Sequence, residues 1–137
     1  MASVKKIIIV IAITITMLIG GFVGINFLRM INDKDPPRII SVGYNPHPKV
    51  NTSSTIQIFV EDVSGIEFCK IYYRLNESEW VSRALRRYVI LCCPPRFLIR
   101  LGPFISVGTQ FDLYFVISDK KNNILVSDTY SFTVVDS

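Results

Sequence analysis

The chain has a single histidine in 137 residues, His47, held between two prolines in Tyr44-Asn45-Pro46-His47-Pro48. Without a second imidazole a histidine-based metal centre has too few ligands, and no serine or cysteine is spaced to pair with His47 as nucleophile and base. Acidic groups are sparse too. Glu61-Asp62 and the Glu77/Glu79 pair flank expected turns, and no cation-loop spacing surrounds them. Internal repeats and low-complexity tracts are missing. Excess charge is also missing from the larger part of the chain: residues 38–137 carry 11 Lys/Arg against 9 Asp/Glu, a net of +2, too little for a nucleic-acid binder. These absences argue against an enzyme, a bound metal or another cofactor.

One long stretch lacks charge altogether. Residues 7–28 are 22 uncharged positions preceded by Lys5 and Lys6 and closed by Arg29, and 14 of them are Ile, Val, Leu or Phe. As a helix the run is about 33 Å long, enough for a bilayer core of about 30 Å. Insertion is favourable by about 5 kcal/mol once Thr14, Thr16 and Asn26 are counted against it. A cleaved signal peptide would have a shorter apolar core of about 7–15 residues and a small-x-small cleavage pattern; this run is longer and has no such pattern. The sequence therefore predicts an uncleaved signal anchor embedded in membrane lipid through residues 7–28. The Lys/Arg balance across the run is nearly even, and Lys5 and Lys6 directly beside it favour a cytoplasmic tail at residues 1–6. Gly20 and Gly24 form a small-xxx-small pair through which two such helices could oligomerise. Residues 29–37, ending in Pro36-Pro37, read as a short stiff linker.

Beyond it the pattern changes to a period of two. Ile56, Ile58 and Val60 share a face opposite Gln57 and Glu61. Phe111, Leu113, Phe115 and Ile117 oppose Gln110, Asp112 and Ser118, and Tyr130, Phe132 and Val134 oppose Ser131 and Thr133. Weaker strands are expected at 39–44, 66–74, 88–92 and 96–101, for a total of about seven. Asp62-Val63-Ser64-Gly65 and Lys120-Lys121-Asn122-Asn123 have the chemistry of chain reversals, with Gly65 and Asn suited to positive φ. The fold class expected for residues 38–137 is an all-β antiparallel sandwich.

Asp35-Pro36-Pro37, Asp62-Val63-Ser64-Gly65-Ile66 leading into Ile71-Tyr72-Tyr73-Arg74, Glu79-Trp80, and the run from Gly108 to Asp119 followed by Tyr130-Ser131-Phe132-Thr133-Val134 resemble the immunoglobulin-like or fibronectin type III-like modules of prokaryotic, archaeal-type membrane-anchored cell-surface proteins. The resemblance covers most of residues 36–135 and departs at the last turn, where Asn122-Asn123 replaces the usual Gly-Asn. It implies an immunoglobulin-like sandwich at the cell surface and carries no catalytic residue with it.

Candidate contact residues are few. Arg83, Arg86 and Arg87, with Arg96 and Arg100 further on, could meet an anionic ligand such as a glycan or a lipid headgroup; alternating arginines on a half-buried sheet are otherwise a solvated face. Asn51-Thr52-Ser53 and Asn76-Glu77-Ser78 are glycosylation sequons in expected loops. Cys69 could bridge to Cys92 or Cys93, whichever shares its face, or all three could be small buried apolar residues. Three readings follow. One is a single-pass, cell-membrane-anchored extracellular module that binds a protein or glycan without catalysis. The second is a pilin-like or archaellum-stator-like filament subunit, which a hydrophobic N-terminal helix plus a β domain also resembles. The third is a membrane-tethered thiol metal carrier, against which stands the absence of a Cys-x-Cys site.

Overall fold

The computed structural model describes residues 2–89 and 93–136, with helix side chains described from Thr14 onward. The chain forms two compact units, Met1–Asp33 and Lys34–Ser137. The first is one helix, α1 (Ala2–Ile31), about 45 Å long at 1.5 Å per residue. It runs past the uncharged stretch at both ends because Lys and Arg are good helix formers. Its last turn is closed by Asn32 N donating to Leu28 O at 3.1 Å, and Arg29 there suits the negative end of the helix dipole. The polar Asn26 is satisfied inside the helix, its Nδ2 donating to Phe22 O at 2.9 Å. None of the apolar window Thr14–Ile31 is buried, and the positions beside Gly20 and Gly24 face open space.

Among the described residues the second unit has nine strands: β1 (Arg38–Gly43), β2 (Ser54–Glu61), β3 (Ile66–Leu75), β4 (Val81–Ala84), β5 (Arg86–Tyr88), β6 (Arg96–Leu101), β7 (Gln110–Asp119), β8 (Ile124–Val126) and β9 (Tyr130–Thr133). They make two antiparallel sheets, β1-β2-β6-β5 and β4-β3-β7-β8, with β9 also paired to β7. The expected sandwich is present with nine strands rather than seven. The extra ones, β4 and β8, are short; β4 is exposed throughout and β8 at its two ends, with Leu125 half-buried against the core. The strand expected at 88–92 is instead β5, and residues 90–92 of that expectation lie outside the described residues.

The three strongest alternations place their inward sets as expected. Ile56, Ile58, Val60, Leu113, Phe115 and Ile117 are fully buried, and Phe111, Phe132 and Val134 nearly so. Phe111 stacks on Phe132 with ring centroids 4.9 Å apart, and Phe104 meets Phe111 edge-on at 5.3 Å. Two outward assignments need correction. Asp112 and Ser118 are on the outer side of β7 yet are buried. Around Asp112, Arg74, Gln110 and Ser131 supply hydrogen bonds and cover it. Residues 29–31 continue the helix, and Pro37 is fully buried.

Local chemistry sets the turns. Asp62 Oδ1 accepts from Ser64 N, Ser64 Oγ and Gly65 N at 2.8, 2.7 and 2.9 Å, the side-chain-capped turn that Asp favours. Asn122 takes φ 66° in the β7–β8 turn. Gly102 has φ 106°, and a Cβ there would lie 2.9 Å from Thr52 O and 3.0 Å from Ser53 Cα. Gly102→Ala is expected to destabilise the sandwich by about 2 kcal/mol, since neither the backbone angle nor the rigid neighbour can yield; chemical denaturation of the two proteins would measure it.

Two connections shape the domain. β4 edges one sheet and β5 the other, with only Leu85 between them; Leu85 is buried and its N donates to Cys69 O at 3.0 Å. At the far end, Lys49 and Val135 form a parallel bridge, with Val50 N donating to Val135 O and Val135 N to Pro48 O, both at 3.0 Å.

Candidate functional site

Because strand residues alternate faces, register decides which arginines meet. Arg86 pairs with Leu98, Tyr88 with Arg96, Thr55 with Arg100 and Gln57 with Leu98. Thr55, Gln57, Arg86, Tyr88, Arg96, Leu98 and Arg100 thus share the outer face of the β1-β2-β6-β5 sheet. Arg83, across Leu85 on the edge of the other sheet, joins them. Arg83, Arg86, Tyr88, Leu98 and Arg100 line one groove of about 540 Å³, and no acidic residue is in its lining. Arg96 lies beside it, its guanidinium 5.9 Å from the centre of the Tyr88 ring.

The expected trio therefore divides. Arg83 and Arg86 border the groove together although they belong to different sheets. Arg87 takes the opposite face and directs Nη1 to Ile66 O at 3.4 Å. Arg100, distant in sequence, replaces it through the β2–β6 pairing. Among the described residues Arg83, Arg86 and Arg100 make no salt bridge, whereas Arg38 pairs with Glu61 and Arg74 with Asp112. Arg96 Nε is buried without a hydrogen-bond partner. Arg83 also lines a second cavity of about 270 Å³ with Tyr73, Leu101, Phe104 and Phe111, its guanidinium 5.9 Å from the Tyr73 ring centre.

The outer face of the other sheet carries an aromatic cluster that sequence reasoning missed. Tyr72 stacks on Tyr114 at 5.0 Å, Trp80 meets Tyr114 edge-on at 4.9 Å, and Arg74 lies over Trp80 at 4.7 Å. The outward period-two pairs Tyr72/Arg74 and Asp112/Tyr114 were the signal. The polar members are already partnered. Asp112 accepts from Ser131 Oγ at 2.7 Å, Gln110 Nε2 at 3.1 Å and Arg74 Nε at 3.0 Å. The Ser131 hydrogen bond leads in holding its carboxyl below the usual range, with Gln110 and Arg74 adding to it against the opposing effect of burial. This arrangement braces the sheet.

The remaining candidates are scattered. Cys69 is a free, buried thiol, pushed up to about 12 by desolvation, which makes it a poor nucleophile or metal ligand. Cys93 is exposed, and Cys92 lies outside the described residues. Asn51 and Asn76 are both exposed turn residues with positive φ; Asn76 Oδ1 accepts from Gln110 N at 2.8 Å. His47 is exposed in its loop, its N donating to Asn45 Oδ1 at 3.0 Å.

No family model matches the chain, and no curated protein matches it either. Solved structures do. CopC from Methylosinus trichosporium OB3b is similar over 73% of this chain and 94% of its own, with TM-score 0.51 and 14% identity. The superoxide reductase (neelaredoxin) from Ignicoccus hospitalis is similar over 73% of this chain and 80% of its own, with TM-score 0.50 and 12% identity. A PKD domain of an M14-like peptidase from Thermoplasmatales archaeon SCGC AB-540-F20 aligns over 74% and 98%, with TM-score 0.48 and 16% identity. At such identities the likeness to the first two is one of fold alone: the chain carries one apolar N-terminal helix followed in sequence by an immunoglobulin-like β-sandwich.

Proposed function

We propose that this protein is a single-pass, membrane-anchored module that presents its β-sandwich outside the cell and binds a protein or glycan there without catalysis. The observation that carries the reading is α1. A helix apolar on every side, with none of Thr14–Ile31 buried, has no stable place in water, and it needs a lipid environment or a partner around it. The sandwich supports the non-catalytic half. Its histidine is solitary, its buried thiol is inert, and its buried carboxylates Asp112 and Asp119 are held ionised in hydrogen-bonded networks. The groove bordered by Arg83, Arg86 and Arg100 offers a surface for recognition.

Protease shaving of intact cells that express the full chain with a C-terminal tag tests this. Loss of the tag while a cytoplasmic control protein survives is the expected result. Protection of the tag would overturn the extracellular placement, and recovery of the chain in the soluble fraction after lysis would overturn the anchor.

A further inference from the structure

We infer that the groove on the outer face of the β1-β2-β6-β5 sheet binds an acidic polysaccharide, a sugar chain bearing carboxylate or sulfate groups. The inference rests on the binding-module reading and names the ligand class for its site.

Three independent features point the same way. The first is charge segregation. Between Trp80 and Phe111 the chain has five arginines and no acid, and three of the five, Arg83, Arg86 and Arg100, line the groove with no acidic residue among its walls. Elsewhere in the domain Arg38 and Arg74 each have a carboxylate. Among the described residues Arg83, Arg86 and Arg100 have none, which leaves them to an outside anion. Arginine's planar fork matches the paired oxygens of a carboxylate or sulfate, and it binds such groups more specifically than lysine does.

The second is spacing. Arg86 is opposite Leu98 and Arg100 is two residues further along β6, a diagonal relation of roughly 7–8 Å across adjacent strands. Arg83 enters from the neighbouring sheet. Cations set apart in this way meet successive charges on one chain better than a single small anion. The third is the floor. Leu98 and Tyr88 lie among the arginines, giving apolar and aromatic surface against which the C–H faces of sugar rings can rest. Arg96 beside Tyr88 adds a guanidinium whose Nε is desolvated and unpartnered, so negative charge nearby is favoured again. The concavity separates this ligand from a lipid surface: a groove of about 540 Å³ receives a linear chain, whereas a bilayer presents a broad face.

The test uses the full chain in detergent micelles, with heparin and polygalacturonate as acidic probes, neutral dextran as control and vesicles rich in phosphatidylserine as the lipid arm. Binding to one or both acidic polysaccharides, falling steeply with salt, and absent on dextran, is expected. The double variant Arg86→Glu/Arg100→Glu is expected to weaken it by about tenfold or more, an effect of about 1.4 kcal/mol. The matched reversal Lys34→Glu/Lys49→Glu, away from the groove, is expected to leave it within about twofold, and the milder Arg86→Gln/Arg100→Gln pair guards against a folding defect, with thermal melts of each variant. Equal binding to dextran, vesicle binding without polysaccharide binding, or indifference to both groove variants would each overturn the inference. Failure here with the tag still shaved from cells would discard the ligand class alone. A tag protected from protease would discard the surface module itself.

Discussion

Replacing Phe115 with alanine is expected to lower the stability of the sandwich by about 4 kcal/mol. Phe115 is fully buried on β7, opposite Ile71 of β3, with its ring 5.9 Å from that of Tyr130. Truncation removes the ring from the layer between the sheets and leaves a void that the stiff neighbours Ile71, Leu113 and Ile117 cannot fill. For a domain of this size the melting temperature should fall by about 20 °C. Val116→Ala, one residue along and on the outer face, should cost less than about 1 kcal/mol. Thermal unfolding followed by circular dichroism separates the two. Equal losses would mean that the interior is not packed around β7.

Asp119→Ala should cost about 3 kcal/mol and change how the domain responds to acid. The Asp119 carboxylate ends β7 and is fully buried. Its Oδ1 accepts from Lys121 N and Asn123 N, both at 2.8 Å, and its Oδ2 from Asn123 Nδ2 at 2.7 Å. Burial alone would raise its pKa. The hydrogen bonds from Asn123, from Lys121 N and from Ser64 outweigh burial, so the carboxyl titrates below its ordinary value. A carboxylate with a depressed folded-state pKa contributes stability that is fully present above the unfolded value of about 3.9. That stability is lost as pH falls below about 4 and through the folded-state pKa. Asp112 is depressed in the same direction. The wild type should therefore lose stability steeply below about pH 4, and Asp119→Asn should be less stable at pH 7 but flatter in acid, retaining the share due to Asp112. An unchanged acid slope in the variant would show that the turn is not held by this carboxylate.

The parts of the fold legible in the sequence were those in which burial and alternation coincide. In β2, β7 and β9 a two-residue period places one complete side in the core, so the pattern alone assigns the inward residues. β4 and β8 follow no such rule. Val81–Ala84 is exposed at every position, and Ile124–Val126 is three residues at a sheet border; their existence depends on pairing with β3 and β7, which no local pattern announces. Asp112 and Ser118 were misplaced in depth for a related reason: alternation reports direction, and only the third dimension reports what lies on top.

The candidate site was half legible. A cluster of arginines close in sequence drew attention to Arg83, Arg86 and Arg87. Which of them converge depends on a crossing at Leu85 and on the β5–β6 register, and those exchange Arg87 for Arg100. The stacked Tyr72 and Tyr114 were hidden in the same way, as partners across β3 and β7 that are far apart along the chain.

The bridge between Lys49 and Val135 also sets a timetable. β7 must find β3 and β9, and Val50 must find Val135, so the contacts that complete the sandwich join early residues to late ones. Long-range closure of this kind slows folding relative to a helical protein of equal length. During synthesis the β1–β2 hairpin can form early, but the seam at residues 48–50 stays open until residues 134–135 are made. Until then the apolar sides of β2 and β3 lack the full cover of the closed sandwich, and exposed apolar surface of this kind is what makes incomplete β domains prone to aggregate.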